Sequence, residues 1–370
     1  MDKIQIIKIL VTCFTFSAII TPVIKKIAIH VGAVDVPDAR KVHTKPMPRL
    51  GGLSIFCGFL LGYMLFGDRS PEMISILIGG FIVIITGIID DIKPLPASIK
   101  FSAQFCAALV VTLYGGILLR DINAFGIYLP FGIFSYPLTI FFILGAINCI
   151  NLIDGLDGLA AGISAIFFLT IGIIATIQNL MGGLDVCLAF IMLGSVLGFL
   201  VHNFYPAKIF MGDSGSMFLG FIISIISLLG FKNVTVTSLI IPCLLLAIPI
   251  MDTLFAIFRR MLKGESISNP DKQHLHHQLL KLNLSHRNTV LVIYLIDILF
   301  ALASIVYVIG DPQLGKVIYA VLILGMAIII TRTSIIADRR TLKVNYLLIK
   351  RKFRKRKSQA AKNITKLEED

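Results

Sequence analysis

A chain of 370 residues, 56% hydrophobic and only 15% charged, with a mean hydropathy of +0.90, has too little polar surface to cover an ordinary soluble core. Its 34 Lys and Arg against 21 Asp and Glu leave a net charge of +13, which favours anionic partners. The cysteines at 13, 57, 106, 149, 187 and 243 stand singly in apolar runs, so neither a disulfide framework nor a zinc pair is indicated.

Taken in order, the apolar runs predict helices over 4–24, 50–67, 73–90, 100–119, 134–150, 158–178, 185–203, 215–231, 235–257, 289–309 and 313–331. The fold expected is an all-α polytopic membrane protein of about 11 transmembrane helices. One transmembrane domain over 1–335 is followed by a basic tail over 336–370. The first run has no small-residue cleavage site and its basic flank follows it, so it reads as an uncleaved helix. No repeat of fixed period is evident.

Connections 25–49, 91–100, 151–157, 204–214 and 258–288, with the tail from Arg332, hold 28 of the 34 basic residues. The other side keeps Lys3, Lys8, Arg69, Arg120, Lys232 and Lys316. The positive-inside rule makes the rich side cytoplasmic, with the N-terminus outside and the C-terminus inside. The run Arg351–Lys357 suits anionic membrane lipids, and no nucleic acid is expected as a partner.

Carboxylates at the ends of membrane helices are costly unless they hold a metal or a partner, and they gather here on the basic side. Asp90 and Asp91 close the third run ahead of Ile-Lys93-Pro-Leu-Pro, which cannot continue a helix. Adjacent helical positions diverge by about 100°, so one carboxylate is expected to face a cleft and the other the headgroup layer. Two solvated acids ending a helix are the plainer alternative, which the helix dipole opposes. Asp154 and Asp157 lie in Asn151-Leu-Ile-Asp-Gly-Leu-Asp-Gly, where the spacing turns both to one side and Gly155 and Gly158 let a ligand approach the backbone. Capping of the next helix by Asp157 is a structural alternative.

The stretch Asn203 to Ser216 ends in Phe210-Met-Gly-Asp213-Ser-Gly-Ser. Asp213 offers a hard oxygen ligand, while Ser214, Ser216 and a helix N-terminus suit a phosphate. Without a Gly-Lys-Ser/Thr ending this is no P-loop. After the ninth run come Arg259, Arg260, Lys263, Asp271, His274, His276 and His277. A helix over 270–281 would align Asp271, His274 and His277 and send His276 elsewhere. Anion binding fits this set better than zinc, since the i, i+4 histidine pair with an intervening Glu is missing. Asp297 is the one acid deep in a span. A transporter of an anionic solute would place such groups at broken helices, and a single acid against an array at one membrane face favours an enzyme.

In order, Arg40-Lys-Val-His43, Pro-Met-Pro-Arg49-Leu-Gly51-Gly52, the Asp pair, the Asn151 block, the Phe210-Met-Gly-Asp213 block and His274-Leu-His276-His277 resemble the polyprenyl-phosphate N-acetylhexosamine-1-phosphate transferases, relatives of phospho-MurNAc-pentapeptide translocase. The match covers 40–277, and later residues add nothing to it. It implies transfer of N-acetylglucosamine 1-phosphate from UDP-N-acetylglucosamine to undecaprenyl phosphate, giving undecaprenyl-diphospho-N-acetylglucosamine and UMP. This step would initiate a cell-envelope glycan at the cytoplasmic face of the bacterial plasma membrane. Asp271 ahead of His-Leu-His-His points to this donor over UDP-MurNAc-pentapeptide or another UDP-N-acetylhexosamine. The cofactor implied is Mg2+, with Mn2+ able to substitute. Asp213 is implied as first metal ligand, with Asp90 or Asp91 as second ligand or as contact for the attacking phosphate. Asp154, Asp157, His274, His277 and Arg259 are implied in catalysis. Asn151, Asn203, Phe210, Arg49, Lys100, Arg260 and His276 are implied in substrate binding, with Phe210 stacked on the uracil. Pro242 and Pro249 break the ninth run, which would open a groove for the prenyl chain or serve packing alone, and Asp252, on the face of Arg259, would steady that Arg. Pairing as a homodimer is left open.

Overall fold

The computed structural model describes residues 1–37, 46–124, 127–178, 182–230, 240–263 and 273–332. Arg40, Lys41, His43, Asp271 and the tail over 336–370 lie outside them. Helix α1 (Lys3–His30) opens on Asp2, whose carboxylate accepts the Gln5 N–H at 2.6 Å. Two short strands, β1 (Val34–Asp35) and β2 (Met47–Pro48), pair antiparallel and lead into α2 (Gly51–Phe66). Ser70 caps α3 (Pro71–Ile92), with Pro71 in the first turn where its missing N–H has no helical partner to lose. Helix α4 (Ala97–Leu109) loosens into a π turn over Val110–Tyr114. An antiparallel hairpin of β3 (Asp121–Ala124) and β4 (Ile127–Pro130) then precedes α5 (Ser135–Ile153).

Next come α6 (Leu159–Ile177), α7 (Leu184–Asn203), α8 (Gly212–Leu229), α9 (Ile240–Leu245), α10 (Ala247–Lys263), α11 (Leu275–Lys281), α12 (His286–Ile309) and α13 (Pro312–Arg332). Among the described residues, 9 helical segments are long and apolar enough to cross a membrane, and α2, at 16 residues, is shorter. The chain is therefore an all-α, multi-pass membrane protein whose only strands among the described residues are the two hairpins.

Three expected helices change shape. The first runs on to His30, past the expected end at 24. The fourth stops at Tyr114, where Gly115 and Gly116 turn the chain toward the hairpin. The ninth run is two helices, because Pro249 has no N–H for the Leu245 carbonyl and its ring crowds that turn.

Helix α8 is the most enclosed element, packed by α3, α5 and α2, while α7 carries α1, α6 and α2. A helix apolar all round can be buried all round, and the near-continuous buried list along α8 follows from its Ile, Leu and Phe content. Close approach is set by glycine: a Cβ on Gly52 would overlap the Gly215 backbone, and one on Gly87 would overlap the Ser214 backbone. Helices α2 and α3 thus touch α8 at its first turn, in the manner of small-residue packing between membrane helices.

Candidate active site

The site is built around that first turn. Gly212 takes φ +75°, a conformation that costs a side chain strain, and a Cβ there would meet the Asp91 carboxylate. Asp91 accepts the Asp213 N–H at 2.9 Å, the Ser214 N–H at 3.1 Å and the Ser214 hydroxyl at 2.7 Å. A carboxylate here satisfies helix donors that have no partner of their own and meets the positive end of the dipole. The anion seat expected for a phosphate is therefore filled by the protein's own Asp91. Ser216 is likewise committed, donating to the Gly212 carbonyl at 3.0 Å and accepting Asn151 Nδ2 at 2.9 Å. Neither member of the Asp pair faces a headgroup layer: Asp90 and Asp91 are both buried, Asp91 against the first turn of α8 and Asp90 against Lys100.

Charge alternates around Asp213. Asp90 Oδ1 accepts the Leu95 N–H at 2.8 Å and so fixes the turn that presents α4, while Lys100 Nζ stands 3.4 Å from Asp90 Oδ2 and 2.8 Å from Asp213 Oδ2. Arg49 reaches 3.3 Å to Asp91, 3.6 Å to Asp213 and 3.6 Å to Asp35. Its backbone is pinned from both sides: its N–H donates to the Ala33 carbonyl at 2.9 Å, and it bridges to Phe210, whose N–H donates to Pro48 at 2.8 Å. Phe210 itself is half-buried. Burial opposes the Arg49 charge, but Asp91, Asp213, Asp35 and Asp90 outweigh it and hold the guanidinium above its ordinary pKa. Gln104, one turn on from Lys100, ties α4 to its neighbours, accepting from Asn148 at 2.9 Å and donating to the Met217 sulfur at 3.3 Å.

Among the described residues no three acidic, His or Cys side chains converge as a closed metal cage. Asp90 and Asp213 nevertheless contact each other and share the Lys100 ammonium, which lies where a cation bridging them would lie. Two carboxylates with the remaining positions left to water and phosphate are the usual protein share of a Mg2+ site, so this pair fits the ion. Asp91 fits less well, since its oxygens already serve α8.

Asp154 ends α5 and is half-buried beside this cluster. Burial first, then the Asp213 charge, pushes its carboxyl up to about 8, with Arg49 pulling the other way. Asp157 does not cap α6; Gly158, at φ +77°, holds that position. Asp157 Oδ2 instead accepts the Ala207 N–H at 2.9 Å. Asn203 is buried and ties loops together, accepting the Gly158 N–H at 3.1 Å and donating to the Ile209 carbonyl at 2.9 Å. It braces the loop where a pocket-lining role was expected.

The histidines also differ from expectation. Helix α11 begins at Leu275, so His274 is its extended N-cap and shares no helical face with His277. Both Asp252 oxygens are engaged there, by His274 Nδ1 at 2.8 Å and the Leu275 N–H at 2.8 Å; the group that Asp252 steadies is His274. His276 does not point away: it is buried against Gly155, with its ring 5.9 Å from His274 and 4.2 Å from His277. Burial, then His277 and His274, hold its pKa well below the ordinary value, and its Nδ1 has no hydrogen-bond partner among the described residues. Arg259 and Arg260 are buried in α10, where the connection after the ninth span was expected. Asp297 is buried in α12 with neither oxygen hydrogen-bonded among the described residues.

Three participants carry no signal in the sequence. Asp35 precedes the stretch that carried the resemblance, Gln104 looks like any polar residue in an apolar helix, and His286 lies beyond that stretch.

Comparison with known proteins identifies the family. The profile of glycosyl transferase family 4 matches residues 73–231. Over 332 residues the chain is 47% identical to the probable undecaprenyl-phosphate N-acetylglucosaminyl 1-phosphate transferase of Bacillus subtilis (strain 168), covering 87% of this chain and 90% of that one. It is 35% identical to the decaprenyl-phosphate N-acetylglucosaminephosphotransferase of Mycolicibacterium smegmatis, covering 83% of each. With the undecaprenyl-phosphate alpha-N-acetylglucosaminyl 1-phosphate transferase of Escherichia coli K12 it shares 30% identity over 79% of this chain and 81% of that one. On that extent of identity, the chain belongs to glycosyl transferase family 4, among the polyprenyl-phosphate N-acetylhexosamine-1-phosphate transferases.

Proposed function

We propose that this protein transfers N-acetylglucosamine 1-phosphate from UDP-N-acetylglucosamine to undecaprenyl phosphate at the cytoplasmic face of a bacterial plasma membrane. The observation that carries the reading is the gathering of Asp90, Asp213 and Asp154 with Arg49 and Lys100 at one end of a membrane bundle, in a chain with these relatives. A nucleotide diphosphate-sugar and a lipid phosphate bring several negative charges together, and Arg49 and Lys100 offset them. The lipid phosphate is substantially ionised near neutrality, so it attacks the β-phosphorus without a strong general base, and UMP leaves. Asp90 and Asp213 would hold Mg2+, which when bound supplies further positive charge to the diphosphate oxygens. Lys100 can then move from its carboxylates to a phosphate. With its pKa raised by burial, a protonated Asp154 can donate to an anionic ligand where a carboxylate would repel it. His276 packs its Nε2 edge against Gly155 and leaves Nδ1 without a partner among the described residues.

Membrane vesicles test activity and orientation together. Inside-out vesicles containing the protein should convert externally added UDP-N-acetylglucosamine to UMP only when undecaprenyl phosphate is present, and sealed right-side-out vesicles should not. Turnover confined to right-side-out vesicles would reverse the orientation, and UMP release without the lipid would contradict the transfer.

A further inference from the structure

The loop that carries Asp154 is held from behind by groups the reaction does not use. His286, the first residue of α12, accepts the Asp157 N–H on Nε2 at 2.9 Å. A ring nitrogen that accepts carries no proton, so His286 is a neutral imidazole protonated on Nδ1. The 3.8 Å approach of Asp157 Oδ1 to the same nitrogen is then no ion pair. Tyr205 stacks on the ring at 4.8 Å and 30°, fixing its plane. Two turns along α12, the Tyr294 hydroxyl donates to the Gly158 carbonyl at 2.5 Å, while Asn203 takes the Gly158 N–H. The N–H groups of Asp157 and Gly158 thus end on side chains, and the Gly158 carbonyl takes the Tyr294 hydroxyl beside the Gly162 N–H of its own helix at 2.8 Å; two of those three side chains come from α12. Backbone groups at a half-buried turn need partners, and removing one frees the segment.

We propose that His286 is a positioning residue: by accepting the Asp157 amide it sets the register of the 154–158 loop and with it the place of Asp154 in the cleft. The catalytic part of this inference rests on the transferase reading above; the anchoring part does not.

Two variants of the full-length protein separate the acceptor from the ring. His286→Phe keeps a ring for Tyr205 to stack on and removes the acceptor, whereas His286→Gln places an amide oxygen near Nε2. Amide exchange of the peptide spanning 154–158, followed by mass spectrometry, should be at least about tenfold faster in the Phe variant and close to wild type in the Gln variant. With UDP-N-acetylglucosamine and undecaprenyl phosphate, kcat should fall at least about tenfold in the Phe variant and recover in the Gln variant, the KM for the lipid changing by less than about twofold. If the Phe variant does not fold, His286→Asn replaces it, since that shorter amide reaches only the Nδ1 position. Unchanged exchange in the variant lacking the acceptor overturns the anchor, and faster exchange with undiminished kcat overturns the positioning role. Equal losses in Phe and Gln variants also overturn it, as they mark a role in folding alone. A wild-type protein that releases no UMP would sink the transferase reading while leaving the exchange result to judge the anchor.

Discussion

Asp213→Asn is expected to lower turnover by more than about a hundredfold at saturating Mg2+ while the protein still folds and inserts. Asn keeps the shape of the side chain and removes its charge, so the effect isolates electrostatics. In the wild type that charge faces Lys100 at 2.8 Å and Arg49 at 3.6 Å and completes a carboxylate pair with Asp90. Without it the pair has one anionic member left, which weakens the hold on a dication. Thermal unfolding should shift little, since the Asp213 side chain is partly exposed and its N–H still reaches Asp91. Retention of more than about a tenth of wild-type turnover contradicts the assignment, because a lost ligand should cost well over the 1.4 kcal/mol of one factor of ten.

Asp91→Ala should fail for a different reason. Its carboxylate accepts three hydrogen bonds from the first turn of α8 and meets Arg49 at 3.3 Å, all inside the bundle. Removing the carboxylate leaves the buried α8 donors without an acceptor, at about 1–3 kcal/mol for each, a large fraction of ordinary domain stability, while Arg49 keeps Asp213 and Asp35. The variant should unfold at a markedly lower temperature and be recovered in low yield. Asp90→Ala leaves α8 capped and frees only the Leu95 N–H, so it should lose activity with a smaller fall in unfolding temperature than the Asp91 variant. Equal thermal stability of the Asp91 variant and wild type would show that the cap is dispensable.

These adjacent acids mark where reading the sequence stops. Hydropathy and composition are local properties, so the spans, their polar ends and the ordered acidic blocks are legible. What each acid faces depends on packing: Asp91 meets its donors 122 residues away, and Asp157 meets His286 129 residues away. Helical geometry placed Asp90 and Asp91 about 100° apart, but it could not show that α8 would press its N-terminus onto one of them. Gly52, Gly87 and Gly215 encode that approach, which becomes readable only once the helices are set side by side. The hairpins β1–β2 and β3–β4 escaped notice because strands of 2 and 4 residues have too few positions to show a period. His276 was sent away from the site by assuming a helix from 270; with α11 starting at Leu275, that geometry does not apply.

The central claim is that a sugar phosphate, and not a sugar alone, moves to the lipid. It is tested most directly with UDP-N-acetylglucosamine carrying 32P in the β-phosphate, given to the purified protein with undecaprenyl phosphate and Mg2+. Attack on the β-phosphorus breaks the bridge to the α-phosphate, so the label should enter the lipid product one for one with unlabelled UMP. Label retained in UDP, or released as free N-acetylglucosamine 1-phosphate, would contradict the account.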